Sequence, residues 1–275
     1  MAQLVTIEKK DGVADVRLNR PEKINALSPE MFAAIIEAGE SLQGAKDVRV
    51  VVLSGNGRGF CAGLDFGSFQ GMAGGSAGRG SAQPNPAPSL FKRNDDLPEN
   101  RAQRPAMVWK RLPVPVITAI HGVAFGGGCQ IALGGDIRIA APDAKLSVME
   151  IKWGLIPDMS LTQTLRDLVP LDVAKELTFT GRILSGTEAA ALGLVTRTSP
   201  DPLAAALALA AEIAGKSPDA IRAGKRLLEA TWRADAATGL ALEQELQGKL
   251  IGRPNQLEAV KANFENRAPK FRDPE

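Results

Sequence analysis

An α/β fold with a C-terminal helical subdomain is predicted by three features of the chain. Val48–Leu53 is a β-branched run of the kind carried by strands buried on both faces. Pro115 opens a second apolar run, Val116, Ile117, Ala119 and Ile120, which breaks at Gly122 and at Gly126-Gly127-Gly128. The chain then restarts as a helix through Gln130, Ile131, Ala132 and Leu133. From Pro202 onward the pattern is almost wholly helical. Strand–turn–helix units followed by helices divide the chain into a core over residues 1–200 and a helical subdomain over 201–275.

Taken in order, Leu4–Lys9 and Val13–Leu18 read as strands joined by Asp11-Gly12, a hairpin signal. Asn19–Ala26 is a loop. Ser28 is placed to cap a helix with Pro29 in its first position and apolar residues at Phe32, Ile35, Ile36 and Leu42. The strand Val48–Leu53 delivers Ser54–Asp65, whose Gly55, Gly57, Gly59 and Gly63 let backbone approach a ligand closely. Gly67 to about Arg104 is rich in Gly, Ser, Ala and Pro, lacks periodicity and reads as irregular. A helix over Asn100–Arg111 precedes the central strand. Beyond it come helices at Leu161–Leu168, Leu171–Phe179 and Thr187–Leu192, and a strand-like exit at Val195. The tail reads as helices at Leu203–Ala214, Pro218–Ala230, Ala236–Leu250 and Asn255–Asn266.

Composition narrows the function. The 275 residues are 44% hydrophobic and 23% charged, ordinary globular values with material for a sizeable core. A formal charge of +2 makes no electrostatic case for nucleic acid. Cys61 and Cys129 cannot form a disulfide framework and fit a reducing compartment. The start, MAQLVTIEKKDG, has neither an apolar signal core nor an Arg-rich amphipathic presequence, and no apolar run is long enough to span a bilayer. The expected setting is the cytoplasm, with no membrane partner. His121 is the only histidine and tyrosine is absent. A Ser–His–Asp or Cys–His apparatus would therefore have to use His121, which sits at a strand–turn junction suited to a structural hydrogen bond. One His and two distant Cys make no metal site. Acid–base work falls to carboxylates.

Two carboxylates follow the glycine turn. Glu150 lies among Val148, Met149, Ile151 and Trp153, surroundings that raise a carboxyl pKa and suit proton transfer. Asp158, eight residues later, follows Pro157 on a stretch that can fold back towards the same pocket. The glycine triplet has two readings. It permits tight helix–strand packing, or it frees backbone N–H groups at a helix start to hold a developing oxyanion.

With Phe60-Cys61-Ala62-Gly63-Leu64-Asp65 upstream, the chain resembles the crotonase family, the enoyl-CoA hydratase/isomerase superfamily. The resemblance runs through NRPEKINALS at Asn19–Ser28, the glycine run at Gly55–Asp65, HGVAFGGGCQIAL from His121 and FENRAPKF at Phe264–Phe271. It implies a spiral of stacked ββα units, assembled as a homotrimer or as a homohexamer built from two trimers. The substrate would be an acyl-CoA thioester, with no cofactor beyond the coenzyme A that the substrate carries. The matched positions make Lys23, Asn25, Ala26, Ala62 and Asp65 contacts for coenzyme A, and the Leu64 and Gly127 amides an oxyanion hole. Phe264 and Arg267 match positions that close the coenzyme A site, often on a neighbouring subunit. The irregular stretch, in particular Gly71–Ala87, matches a region that varies with acyl chain and is expected to be a lid over the acyl pocket.

Hydratases of the family place one glutamate where Gln130 stands and a second at Glu150, twenty residues on. Glutamine can orient a water or hold a neighbour but cannot exchange a proton at neutral pH. Glu150 with Asp158 resembles the dienoyl-CoA isomerase branch, although that branch carries aspartate at the position of Gln130. The catalytic candidates are thus Glu150, Asp158 and Gln130. The expected activity is a double-bond shift in an enoyl- or dienoyl-CoA thioester. Hydration of a 2-enoyl-CoA is the alternative, and a CoA-thioester-binding protein with impaired catalysis is a further one.

Overall fold

Asp11 and Gly12 sit at φ of 50° and 80°, the backbone that a two-residue hairpin turn requires. They join β1 (Val5–Lys10) to β2 (Val13–Leu18) antiparallel, with Lys10 opposite Val13. The computed structural model that shows these elements describes residues 3–65, 67, 92–93 and 97–274. The expected lid, Gly71–Ala87, lies outside the described residues.

The main sheet runs β1-β2-β3-β4-β6-β9, adding β3 (Val50–Gly55), β4 (Val116–Ile120), β6 (Ile137–Ala140) and β9 (Arg197–Thr198). Every pairing after the hairpin is parallel. A second sheet holds β5 (Val123–Phe125), β7 (Lys145–Ser147) and β8 (Leu184–Ser185) in that order. The chain thus places one strand in each sheet and then turns into a helix. It does so at β4–β5 and again at β6–β7, which is the expected ββα repeat.

The parallel strands are apolar throughout because they serve two cores. Val51 and Leu53 of β3 join the larger cluster, with Ile35, Trp109 and Ile131. Val50 and Val52 face the other way, with Ile117, Ala119 and Ile139, and meet Ala206, Ala210 and Ala214. Those three alanines lie on α7 (Pro202–Ala214). Small side chains let this helix lie close on the sheet, so enlarging the fully buried Ala210 to Leu should cost about 1–3 kcal/mol through overpacking. The first helix of the segment 201–275 thereby packs on the core.

Helix ends follow local chemistry. α1 (Pro29–Gln43) starts where Ser28 Oγ accepts from Met31 N at 3.3 Å. α2 (Arg104–Lys110) starts later than the expected Asn100. Asn100 and Gln103 side chains each accept from the other's backbone N–H, at 3.0 and 2.9 Å, and so form a turn that precedes the helix. α3 (Gly127–Ala132) follows Gly126. α4 (Leu161–Thr164) lasts one turn, and the chain has left helical geometry before Pro170, as expected of residues preceding proline. α5 (Leu171–Thr180) precedes α6 (Gly186–Leu192), which begins with a Ser185–Glu188 capping box. The tail is α8 (Pro218–Thr231), α9 (Ala236–Leu250) and α10 (Pro254–Phe264), with α8 packed on both of the others. Lys225 fastens α8 to the sheet through Asp136 at 2.7 Å and Val114 O at 3.0 Å. Among the described residues no helix is long and apolar enough to cross a membrane.

Candidate active site

The loop after β2 is folded by unusual backbone. A 3-10 turn at Pro21–Lys23 is followed by Ile24 and Asn25, at φ of 50° and 54°, a left-handed pair that a β-branched residue rarely joins. The Asn25 side chain holds it there. Its Nδ2 donates to the carbonyls of Asn56, Gly59 and Phe60, each at 3.0 Å, while Oδ1 accepts from Arg20 N at 2.8 Å. Asn25 is 0% exposed, and its side chain organises the loop. Every polar group of that amide is engaged inside the protein.

Arg20, which sequence reasoning did not single out, completes the loop. Its Nη1 donates to Asp65 Oδ2 at 2.6 Å and to Ala26 O at 3.2 Å. The Gly67 N–H and this guanidinium hold the Asp65 carboxyl below its ordinary range. Ala62 is half-buried, and its N–H donates to Ile24 O at 2.9 Å. Ala26 is buried and Lys23 is exposed. The loop and the turn after β3 are thus one rigid corner. Arg20 carries no local signal, since its partner lies 45 residues away in sequence.

The turn after β3 then runs beside β5. Cys61 N donates to Val123 O and Phe125 N to Cys61 O, both at 3.0 Å. Gly63, at φ of 86°, passes so close that a β-carbon there would lie 2.7 Å from Phe125 O and 4.0 Å from Gly127 N. This brings the Leu64 and Gly127 amides together at the start of α3. Among the described residues neither amide donates a hydrogen bond to another backbone or side-chain group. Two such donors, held by a glycine corner and a helix start, can take an oxyanion.

Glu150 stands over the same corner, at the start of a 3-10 turn, Glu150–Trp153. Its Oε1 lies 3.3 Å from where a side chain on Gly126 would begin. That oxygen accepts from Gln130 Nε2 at 2.7 Å. Oε2 is buried and, among the described residues, has no hydrogen-bond partner. Burial pushes the Glu150 carboxyl above its ordinary value, with a smaller contribution from Asp158, against stabilisation by backbone and by Gln130. Asp158 is exposed, and partial desolvation raises its carboxyl too. Gln130 is fully buried, and its Oε1 accepts from Met159 N at 2.8 Å. A backbone N–H can only donate, so the oxygen of the Gln130 amide must face Met159 and the NH₂ must face Glu150.

The remaining sequence-derived residues lie elsewhere. His121 Nε2 is 2.9 Å from Gly57 O, the structural use expected of it. Phe264 is 84% exposed at the end of α10. The Arg267 guanidinium is held by Glu258 at 2.6 and 3.0 Å and by Glu265 at 2.6 Å, so any phosphate must compete for it. A cavity of about 820 Å³ opens between α2 and the tail helices. Its carboxylates are already paired, Glu229 with Lys110 and Asp219 with Asn255, and it contains none of the proton-transfer candidates. Among the described residues no cluster of three His, Cys, Asp or Glu side chains could hold a metal.

Known proteins share this fold and sequence pattern. The sequence model of the family described as enoyl-CoA hydratase/isomerase matches residues 8–274. The chain is 35% identical over 267 residues to enoyl-CoA hydratase domain-containing protein 2, mitochondrial, of Mus musculus, covering 94% of this chain and 84% of that one. It is 33% identical over 274 residues to methylglutaconyl-CoA hydratase, mitochondrial, of Mus musculus, covering 96% and 81%. A crystal structure of an enoyl-CoA hydratase from Bacillus anthracis superposes with a TM-score of 0.87 at 30% identity, over 99% of this chain and 100% of that one.

Proposed function

The chain belongs to the enoyl-CoA hydratase/isomerase family, and from that premise we propose that it shifts a carbon–carbon double bond in an enoyl- or dienoyl-CoA thioester. The observation that carries this reading is the state of Glu150. One oxygen is committed to Gln130 and lies 3.3 Å from where a side chain on Gly126 would begin, and the other is buried and without a partner among the described residues. Such a carboxylate is a base for a C–H bond.

The thioester carbonyl oxygen sits between the Leu64 and Gly127 amides. Glu150 Oε2 takes a proton from the carbon next to the carbonyl. The electron pair of that C–H bond moves into the π system and onto the oxygen as an enolate. Each amide stabilises the new charge by roughly 3 kcal/mol. In a 3-enoyl substrate Glu150 returns the proton two carbons further out, leaving the double bond conjugated with the carbonyl. In a dienoyl substrate a protonated Asp158 delivers a proton further along the chain, and the proton taken by Glu150 is exchanged through solvent to reprotonate Asp158 before the next turnover. Lys23, Ala26, Ala62 and the corner held by Arg20–Asp65 receive the nucleotide end of coenzyme A.

A second reading, hydration of a 2-enoyl-CoA, is favoured by the names of the relatives, which are hydratases. Against it stands Gln130, which replaces an acid with an amide already hydrogen-bonded on both sides. Exposed apolar side chains on the tail helices, Trp232, Leu240, Ile251 and Phe264, support assembly as a homotrimer or a dimer of trimers. For compartment we keep the cytoplasm, on the buried free thiols of Cys61 and Cys129. A panel of 2-enoyl-, 3-enoyl- and 3,5-dienoyl-CoA thioesters tests the proposal. Isomerisation of the last two at enzyme-like rates is expected. Fast hydration of the first alone would favour the hydratase reading, and turnover of none would favour a binding protein.

A further inference from the structure

The Gln130 side chain touches two things. Its NH₂ donates to Glu150 Oε1 over 2.7 Å, and its oxygen accepts from the backbone of Met159, the residue after Asp158, over 2.8 Å. It is fully buried, and its own N–H donates to Gly126 O at 3.0 Å, closing the helical turn that carries the Gly127 amide. The bond to Glu150 stops the carboxyl from rotating and engages one of its two oxygens. The bond to Met159 ties the segment bearing Asp158 to the same carboxyl. Among the described residues no other side chain bonds the Glu150 carboxyl, and Oε2 lacks a partner.

We propose that Gln130 is a positioning residue that makes Glu150 Oε2 the sole proton-accepting atom of this site and keeps the Asp158 segment in register with it. The inference rests on the proton-transfer reading above. It gives Gln130 a function as an amide, in place of the acid chemistry that its position would otherwise supply. An amide can donate to a carboxylate at every working pH without competing for its proton. A carboxyl at the same place, 2.7 Å from Glu150 Oε1, would share a proton with it, because two like charges at that separation do not both ionise.

The groups that face Glu150 bear on any pH effect. Asp158 and the Cys129 thiol interact with its charge directly. Lys152 lies on its own turn. From α5, packed against that turn, the charged side chains are Asp172, Lys175 and Glu176, the last taken up by Arg182 at 2.8 Å. All of these stay constant when only position 130 is changed.

The test is the pH profile of hydrogen–deuterium exchange at the carbon next to the carbonyl of saturated butyryl-CoA, followed by mass spectrometry. Exchange needs only proton removal and return, so it does not depend on which double-bond reaction is physiological. Gln130→Glu keeps an acceptor for Met159 N and replaces the amide donor to Glu150 with a proton that the two carboxyls share. Gln130→Met loses both bonds at similar length. In both, the pH below which exchange falls should move upward by at least about one unit, giving about a fivefold loss or more at the parent's own midpoint. Butyryl-CoA affinity should stay within a few fold. An unchanged profile in a folded Gln130→Glu protein, with Glu150→Gln inactive, would overturn the positioning role alone. Exchange that survives Glu150→Gln would instead overturn the proton-transfer reading on which the role rests. Should Gln130→Met fail to fold, the near-isosteric Gln130→Glu still decides the outcome.

Discussion

Gln130 Nε2 donates to Glu150 Oε1 over 2.7 Å, joining two side chains twenty residues apart and leaving the other carboxylate oxygen buried without a partner. The candidate base is thus oriented by an amide, and its charge is under-compensated. Stability and activity should both report that state.

Glu150 and Asp158 have carboxyl pKa values raised by desolvation. A raised folded value means that the charged form is penalised in the folded protein. Their contribution to stability is therefore fully present below the unfolded carboxylate value, about 4, and is lost as pH rises through the folded values. Glu150→Gln, which cannot ionise, should be more stable than the parent at pH 7.5 by about 1 kcal/mol, with the difference closing as pH falls towards about 4. Urea denaturation across that range measures it. Equal stability at pH 7.5 would mean that the carboxyl is not desolvated in solution.

The two carboxylates should divide the labour by substrate. Glu150→Gln is expected to lower every proton-transfer activity by about 10²- to 10⁴-fold. Asp158→Asn should spare 3-enoyl-CoA and stop 3,5-dienoyl-CoA, because only the longer relay needs a second group. Steady-state rates with both substrates separate these outcomes. Loss of 3-enoyl activity on removing Asp158 would refute the division.

Arg20→Met removes the ion pair that pins the corner between the loop after β2 and Asp65. The corner also carries the Ala26 carbonyl that Arg20 holds at 3.2 Å. The KM for a CoA thioester should rise by about tenfold, with a smaller fall in kcat because Asp65 adjoins the Leu64 amide of the oxyanion hole. A fall in kcat at constant KM would show that the corner positions chemistry and not the nucleotide end.

Cys61 and Cys129 are fully buried, and burial pushes both thiols up to about 12. Thiolate is the reactive form, so neither should react with a thiol reagent at pH 8 faster than the chain unfolds. Both should react at once in denaturant. Rapid labelling of the native protein would show that the glycine corner opens.

Much of the architecture was legible because it rests on local rules. Asp11-Gly12 announces its hairpin by the positive φ that it supplies, and Ser28-Pro29 marks the start of α1 by capping chemistry. The short strands β5 and β7 gave no such signal. Each is three residues long; β5 is held by pairing with β7 and the Cys61 segment, and β7 by pairing with β5 and β8, not by its own pattern. The one-turn α4 was overestimated because apolar residues continue to Leu168 after the helical bonds have ended.

The sequence by itself determined the family, the ββα order and which residue types could move a proton, since these depend on motifs and on the presence or absence of side chains. Only the tertiary structure decided how those side chains are used. Asn25 is a fully buried clamp, Arg20 is the anchor of Asp65, and Gln130 is the bridge between Glu150 and Met159. The reason is physical. A hydrogen bond needs donor and acceptor within about 3 Å, and that distance is set by how strands 20 to 45 residues apart are folded together, which no local pattern records.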